Sequence, residues 1–130
     1  MSSGSQTPLD LDDLMMSKGY NGGRGYAQSK LAQVLMTIDM APDLERQGVR
    51  TYSLHPATTM ATTMARALNV APRSTIAEGV ESVVNAITTN EPTGTFFNQL
   101  KPWKANAQAY DATARVRLRN LSEQLIAPRP

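Results

Sequence analysis

The chain has 130 residues, 41% of them hydrophobic and 18% charged, and it carries a net charge of +2 at neutral pH. These values are typical of one globular domain; they exclude a disordered chain and lack the clustered basic charge of a nucleic-acid-binding protein. With no cysteine and a single histidine, the sequence excludes disulfide bonds, thiol catalysis and a multi-histidine metal site, so we expect no bound metal.

The first 25 residues are polar and are interrupted by Pro8 and by Gly19, Gly22, Gly23 and Gly25, which predicts an ordered loop. The opening segment lacks the basic start and the apolar stretch of a signal peptide, and no apolar run approaches the roughly 18 residues of a membrane span. We therefore expect a cytoplasmic protein that does not contact membranes.

A helix is predicted from Tyr26 to Gln47, with Gly48 as its stop. Four apolar residues recur at the i, i+3, i+4 and i+7 spacing of a buried helix face: Leu31, Val34, Leu35 and Ile38. Pro42 lies inside the pattern. Because proline removes one backbone hydrogen bond, we expect a kink or a break there.

Two strands are predicted further along the chain, VRTYSLHP at 49–56 and TFFNQL at 95–100. Between them, TTMATTMA at 58–65 predicts a loop or a short helix. Thr75 and Glu78 form a capping box that opens the next helix. Its apolar residues share one face, which we expect to be buried: Val80, Val83, Val84 and Ile87.

A last helix is predicted over 108–126, with Pro128 just beyond its end. Its apolar residues align on one side: Ala114, Leu118, Leu121 and Leu125. The order helix–strand–helix–strand–helix is typical of an α/β fold with parallel strands. Because two strands are too few for a free-standing parallel sheet, we expect the C-terminal portion of a doubly wound, Rossmann-type sheet whose first strands are missing. The bare strand edge would make the isolated chain aggregate or dimerise.

Tyr26 and Lys30 stand four residues apart, so their side chains share one face of the first helix. A phenol titrates near pH 10, and a nearby ammonium lowers such a pKa by roughly 1–3 units. A tyrosine of this kind exchanges a proton near neutral pH, as general acid–base catalysis requires. Because the spacing alone is common on solvated helices, the surrounding segments decide its meaning.

Those segments resemble short-chain dehydrogenases/reductases. YAQSKLAQVL, a helix ending in GVR and a strand ending in LHP follow one another in the order of that family. The loop before Tyr26, TGTFFNQL and AYDATARVRLRNLSEQL are similar to its retinol-dehydrogenase-like branch. The resemblance covers residues 1–126 and implies the C-terminal, catalytic half of the family's domain, with a tail at 127–130. It further implies an NAD(P)-dependent oxidoreductase that acts on a small-molecule alcohol or carbonyl.

The resemblance also implies roles for individual residues. Tyr26 would be the general acid/base, and Lys30 would lower its pKa and hydrogen-bond the nicotinamide ribose. Ser3 of the serine pair would orient the substrate oxygen, with Ser2 as the alternative. After the strand the family reads Pro-Gly and then a threonine that contacts the nicotinamide carboxamide. In this sequence Pro56 matches, Ala57 replaces the glycine, and the threonine is Thr59, Thr62 or Thr63.

Other parts of the family pattern have no counterpart in the 130 residues. They are the TGxxxGxG turn that receives the pyrophosphate, the catalytic asparagine and the residue that selects NAD or NADP. We therefore expect a truncated chain that is inactive alone. The alternative is a non-catalytic interaction module that pairs with a full-length relative. In this family the tyrosine-bearing helix commonly forms the subunit interface, so a homo-oligomer through that helix is also expected.

Three further features favour ordinary structural interpretations. His55 precedes a proline at a strand end and has no second ligand nearby, which favours a structural or substrate-loop histidine over a metal ligand. Arg115, Arg117 and Arg119 alternate around the last helix and are expected at a solvated surface. Met60 and Met64 are expected in packing or in an apolar substrate pocket.

Overall fold

A small mixed sheet lies at the centre of the fold in the computed structural model, which describes residues 1–67 and 69–127. Its strands are β1 (Ser53–His55), β2 (Phe96–Asn98) and β3 (Lys101–Trp103). Strands β1 and β2 pair in parallel with Leu54 opposite Phe97, whereas β3 runs antiparallel to β2. The predicted α/β class and the parallel pair are confirmed. The expectation of parallel strands throughout is wrong at β3.

Strand β3 escaped prediction because its turn has an unusual composition. Gln99 and Leu100 alone connect β2 to β3, and Gln99 has a φ of +56°. Two-residue hairpins normally place Asn or Gly at such positions. Pro102 also argues against a strand in the sequence, since proline is tolerated in sheets mainly at edge strands. Pro102 and Trp103 are exposed, as expected of a short edge strand.

Four α-helices and one 3₁₀-helix surround the sheet in the described part of the chain. In order they are α1 (Gly22–Glu45), α2 (Thr63–Ala67), α3 (Ile76–Thr88), the 3₁₀-helix Ala107–Tyr110, and α4 (Ala112–Ile126). The short helix α2 overlaps the end of the Thr/Met-rich region at 58–65, for which a loop or short helix was predicted, and extends two residues beyond it. Among these helices none has the length and apolarity needed to cross a bilayer, as judged over residues 1–67 and 69–127.

Helix α1 begins earlier than predicted and does not break at its proline. The Asn21 side chain accepts the Arg24 N–H at 2.9 Å and caps the helix, so the glycines at 22–25 lie inside it. Pro42 lies in the last turn on the exposed side, where one lost hydrogen bond is easily tolerated. Gly48, with a φ of +77°, follows the helix end as predicted.

Helices cover the sheet on both faces, and the two consecutive phenylalanines of β2 point to opposite layers. Phe96 joins one core cluster with α1 and α4, in which Leu31, Val34 and Leu35 are fully buried, as predicted. Phe97 joins a second cluster with Leu54 of β1 and with α3. This alternation follows from the period of two along a strand.

Helix α3 has the predicted capping box but buries a different face. The Thr75 hydroxyl accepts the Glu78 N–H at 3.2 Å, and the Glu78 carboxylate accepts the Thr75 N–H at 2.6 Å. The hydrogen bonds that the Glu78 carboxylate accepts from the Thr75 N–H and from the Thr75 hydroxyl lower the pKa of Glu78. The predicted buried face is wrong for three of its four residues, because Val80, Val84 and Ile87 are 51–70% exposed. The residues that face the sheet are small: Gly79, Ser82 and Ala86.

The last predicted helix is divided in two at Asp111. The Asp111 side chain accepts the Thr113 N–H at 2.8 Å and starts α4, after the separate 3₁₀ turn at 107–110. Ala114 and Leu118 are buried as predicted, whereas Leu125 is 60% exposed because the core does not extend so far. Pro128, the predicted stop, lies outside the described residues.

Candidate active site

One pocket, called here the Tyr26 pocket, opens beside the carboxyl end of β1. Its volume is about 630 Å³, within the 300–1,000 Å³ typical of small-ligand sites. Three stretches of chain form it: the first residues, α1, and the segment between β1 and α3. The described lining residues are 1–5, Tyr26, Lys30, 55–60, Thr62, Met64, Ala65 and Val70.

Tyr26 and Lys30 meet on one face of α1, as their spacing predicts. The Lys30 Nζ atom lies over the Tyr26 ring, 5.5 Å from its centroid, which is within range of a cation–π contact. Tyr26 is 47% exposed and Lys30 is half-buried. The phenol is therefore accessible from the pocket, and a positive charge stands beside its ring.

The first residues reach the pocket because Ser2 attaches them to two elements. The Ser2 N–H donates to the Leu54 carbonyl of β1 at 2.8 Å. The Ser2 hydroxyl donates to the Lys30 carbonyl of α1 at 2.6 Å. Ser2 is buried, and its hydroxyl proton is already committed to the backbone. This arrangement leaves Ser3 as the serine of the pair that is better placed to contact a ligand.

Ser3 lines the Tyr26 pocket and is itself buried. Its hydroxyl oxygen accepts the Ser5 N–H at 3.1 Å, and its carbonyl accepts the Gln6 side-chain amide at 2.9 Å. The Gln6 side chain also accepts the Asn106 N–H at 2.8 Å. The segment that carries Ser3 is therefore attached to the residue that precedes the 3₁₀-helix.

The segment after β1 supplies the rest of the pocket wall. Pro56, Thr59 and Thr62 line it, whereas Thr63 begins α2, is exposed and lies outside the lining. Of the three threonine candidates, the structure thus brings two to the pocket. The φ angle of Ala57 is not positive, so its backbone does not require the glycine that the family pattern places there.

His55 was expected to be a structural or substrate-loop histidine, and Thr58 was not singled out from the sequence; both line the pocket. The His55 Nε2 atom lies 3.2 Å from the Thr58 hydroxyl, so the ring orients that side chain. Partial burial lowers the pKa of His55, because it disfavours the charged form of the ring. Among the described lining residues Lys30 is the one lysine, and they include no arginine, aspartate or glutamate. Its ammonium therefore places a positive charge beside the Tyr26 ring.

The molecule is thus a mixed α/β protein whose pocket combines a phenol, an ammonium and a buried serine. No protein-family model matches the chain. Part of it is similar to human retinol dehydrogenase 11, at 45% identity over 50 residues. That match covers 38% of this chain and 16% of the relative. Human retinol dehydrogenase 12 is 44% identical over 48 residues, covering 37% of this chain and 15% of the relative.

A solved structure shares the fold over nearly the whole chain. The crystal structure of an uncharacterised protein from Mycobacterium paratuberculosis superposes with a TM-score of 0.71 at 27% sequence identity. The superposition covers 95% of this chain and 47% of the mycobacterial one. The chain therefore spans about half the length of that structural neighbour, and its matched segment spans a small part of each retinol dehydrogenase.

Proposed function

We propose that this chain is the catalytic part of an NAD(P)-dependent short-chain dehydrogenase/reductase, which interconverts an alcohol and a carbonyl. One observation carries the proposal: Ser3, Tyr26 and Lys30 lie on one pocket with the Pro56–Thr62 segment, although they are far apart along the chain. The local similarity to retinol dehydrogenases supports the same function.

The side chains suit the proton chemistry of this reaction. In the direction of reduction, Tyr26 and Ser3 donate hydrogen bonds to the substrate carbonyl oxygen, and Tyr26 transfers its proton to that oxygen. The Lys30 ammonium stabilises the phenolate that results. Met60 and Met64 supply apolar wall for an uncharged substrate. When bound, a nicotinamide cofactor supplies or accepts the hydride.

The residues present suit one end of such a cofactor. Lys30 and Tyr26 would contact the nicotinamide ribose, and Pro56 with Thr59 or Thr62 would contact the carboxamide. The pocket volume and its mixture of polar and apolar walls fit this use. The 130 residues contain no glycine-rich turn for a pyrophosphate. The proposal therefore assigns the nicotinamide end of NAD or NADP to this chain and the other end to sequence outside these residues.

A chimaera tests the proposal directly. It joins residues 1–126 of this chain to the N-terminal part of human retinol dehydrogenase 11, up to the position that corresponds to Met1. We expect the chimaera to bind NADPH saturably, followed by cofactor fluorescence, and to turn over a retinoid alcohol or aldehyde. The free 130-residue polypeptide should show neither property. A folded chimaera that neither binds nor turns over would overturn the proposal, and saturable binding by the free polypeptide would contradict its division of the cofactor site.

A second candidate function, a non-catalytic interaction module that pairs with a related chain, is favoured by the surface of α3. Ile76, Val80, Val84 and Ile87 form an apolar face that is 51–70% exposed. The chain exposes 8494 Å² in total, whereas a monomer of 14.1 kDa exposes about 6,700 Å². Contiguous exposed apolar surface commonly marks a protein interface. This face supplements the tyrosine-bearing helix as a pairing surface.

If the module hypothesis is correct, the purified chain should self-associate in native mass and sedimentation measurements. Val84→Lys should weaken that association at least about tenfold, the equivalent of 1.4 kcal/mol, because it places a charge within the apolar face. Asn90→Lys, at an exposed position just beyond α3, is the matched control for charge. A strictly monomeric chain that also fails to capture a full-length relative would exclude this candidate.

A further inference from the structure

The wall of the Tyr26 pocket between Pro56 and Thr62 contains a conformation that needs support. Thr59 has a φ of +47°, and a β-branched residue in the left-handed region is an outlier. Such conformations persist only where the surroundings enforce them. Thr59 also lines the pocket. The contacts that enforce this conformation therefore set the shape of the wall.

One such contact comes from Ser82, in the middle of α3. Its hydroxyl lies 2.6 Å from the Pro56 carbonyl oxygen and 2.9 Å from the Glu78 carbonyl oxygen of its own helix. The longer contact is the ordinary one that serine makes within a helix. The shorter one joins α3 to the pocket wall. Ser82 is 1% exposed, so removing its hydroxyl leaves the Pro56 carbonyl without that donor in a buried setting.

A second contact comes from Gly79, one turn earlier on the same side of α3. A Cβ atom added at Gly79 would overlap the Met60 sulfur, well inside van der Waals distance. The missing side chain is therefore a notch that Met60 fills. The chain just before α3 adds backbone support, because the Arg73 N–H donates to the Thr59 carbonyl at 3.0 Å and the Ala61 N–H donates to the Ser74 carbonyl at 3.1 Å.

We infer that Ser82 is a positioning residue for the Tyr26 pocket. Its hydroxyl fixes Pro56, and with the Gly79 notch it imposes the left-handed turn at Thr59 and the orientation of the threonines beyond it. The catalytic meaning of this wall rests on the proposed function. The fixing of the wall by α3 does not, since it is a property of the free chain. It also explains why the fully buried positions of α3 are occupied by small residues, whereas Val80 and Val84 are exposed.

Amide hydrogen exchange of the 130-residue chain tests the inference without any cofactor. We expect Ser82→Ala to accelerate exchange at Ala61 and Arg73 about tenfold or more. The reason is that the loss of one buried hydrogen bond changes an equilibrium constant for local opening by about tenfold. Exchange at Leu35 in α1 should stay unchanged, which separates local loosening from global unfolding. The matched control is Ser122→Ala. It removes the same intrahelical contact, to the Leu118 carbonyl at 2.8 Å, but the Ser122 hydroxyl makes no contact with the wall.

Unchanged exchange at Ala61 and Arg73 in Ser82→Ala would overturn the inference, as would equal acceleration in Ser122→Ala. If Ser82→Ala fails to fold, a second pair of variants decides. Gly79→Ala should accelerate exchange in the wall, because the new methyl displaces Met60. Adding Met60→Ala to that variant should bring exchange back towards the wild-type rate. A double variant that exchanges no more slowly than Gly79→Ala alone would refute the notch.

The chimaera gives a readout that a merely structural role would not move. There Ser82→Ala should raise KM for NADPH with little change in kcat, the pattern of lost binding that is uniform along the reaction. A fall in kcat with an unchanged KM for NADPH would contradict positioning of the cofactor by the wall. Because exchange is measured on the free chain, a chimaera that fails to bind cofactor would count against the proposed function and leave the exchange result intact.

Discussion

In the retinol dehydrogenase chimaera, Tyr26→Phe is expected to lower kcat by about 10²–10⁴-fold, the usual contribution of a positioned general acid or base. The phenyl ring of the variant keeps the packing of Tyr26 and its contact with the Lys30 ammonium, which lies 5.5 Å from the ring centroid. Only the hydroxyl is lost. Cofactor affinity and folding should therefore change little, and the loss should appear in the chemical step, measured by single-turnover NADPH absorbance.

Tyr20→Phe is the matched control. Tyr20 is 77% exposed and lies outside the Tyr26 pocket, so turnover should stay at the parental rate. Lys30→Met should also lower kcat strongly, since it retains an unbranched chain beside the ring but removes the charge that stabilises a phenolate. If Tyr26→Phe leaves turnover at the level of Tyr20→Phe in a chimaera that binds NADPH, Tyr26 is not the proton donor and the proposed chemistry is wrong.

Local patterns in the sequence were sufficient for the elements whose signals are local. The buried face of α1, the capping box of Thr75 and Glu78 and the two strand-forming runs each depend on residues within one or two turns of one another. They were predicted correctly in kind, with errors of a few residues at their ends. The start of α1 was misplaced because Asn21 caps the helix ahead of three glycines, and glycine is a poor helix former.

The buried face of α3 could not be predicted from hydrophobicity because close packing there requires small side chains. Gly79 accepts Met60, and Ser82 reaches the Pro56 carbonyl. Neither residue carries a hydrophobic signal, whereas the exposed Val80 and Val84 do. The pattern of the helix indicates an apolar stripe correctly, but it does not indicate whether the stripe faces this sheet or another surface.

The candidate site was predictable only in part, because one part of it depends on local spacing and the rest on tertiary contacts. The Tyr26–Lys30 pair is a helical spacing, so its shared face follows from sequence. The approach of Ser3 and of the Pro56–Thr62 segment to that pair depends on tertiary contacts such as Ser2 with Leu54 and Lys30. Only the family resemblance indicated it. Thr58 was not among the threonines that the resemblance offered, yet it lines the pocket and its hydroxyl lies 3.2 Å from the His55 ring.

Ion pairs between distant segments likewise could not be predicted from local sequence patterns. Arg117 contacts Asp12, and Arg119 contacts Asp39 with an N–O separation of 2.5 Å. The arginines had been expected at a solvated surface, and both remain 45–49% exposed at the side chain. They connect α4 to the acidic first segment and to α1. The Arg117–Asp12 pair is exposed at both ends and contributes little stability, whereas the Asp39 side chain is only 13% exposed. The larger contribution to the stability of the fold comes from its two apolar clusters.

The second of these clusters gives the other large expected effect, on stability. Phe97→Ala should lower the free energy of unfolding by about 3–5 kcal/mol, the usual result of truncating a buried aromatic residue. Phe97 is 1% exposed, packs with Leu54 and Ala86, and meets the Tyr52 ring edge-on at a centroid distance of 5.7 Å. Because small domains are stable by only about 5–15 kcal/mol, the variant should lose a large part of its folded population.

Urea denaturation measures this loss as a lower midpoint at an unchanged slope. Trp103→Ala is the control, since Trp103 is an even larger aromatic residue on the neighbouring strand but is 60% exposed. Its cost should be well below that of Phe97→Ala, because truncation there leaves no enclosed cavity. Equal losses for the two variants would mean that the sheet is not buried on its α3 side. The packing that carries Pro56 into the Tyr26 pocket would then be wrong as well.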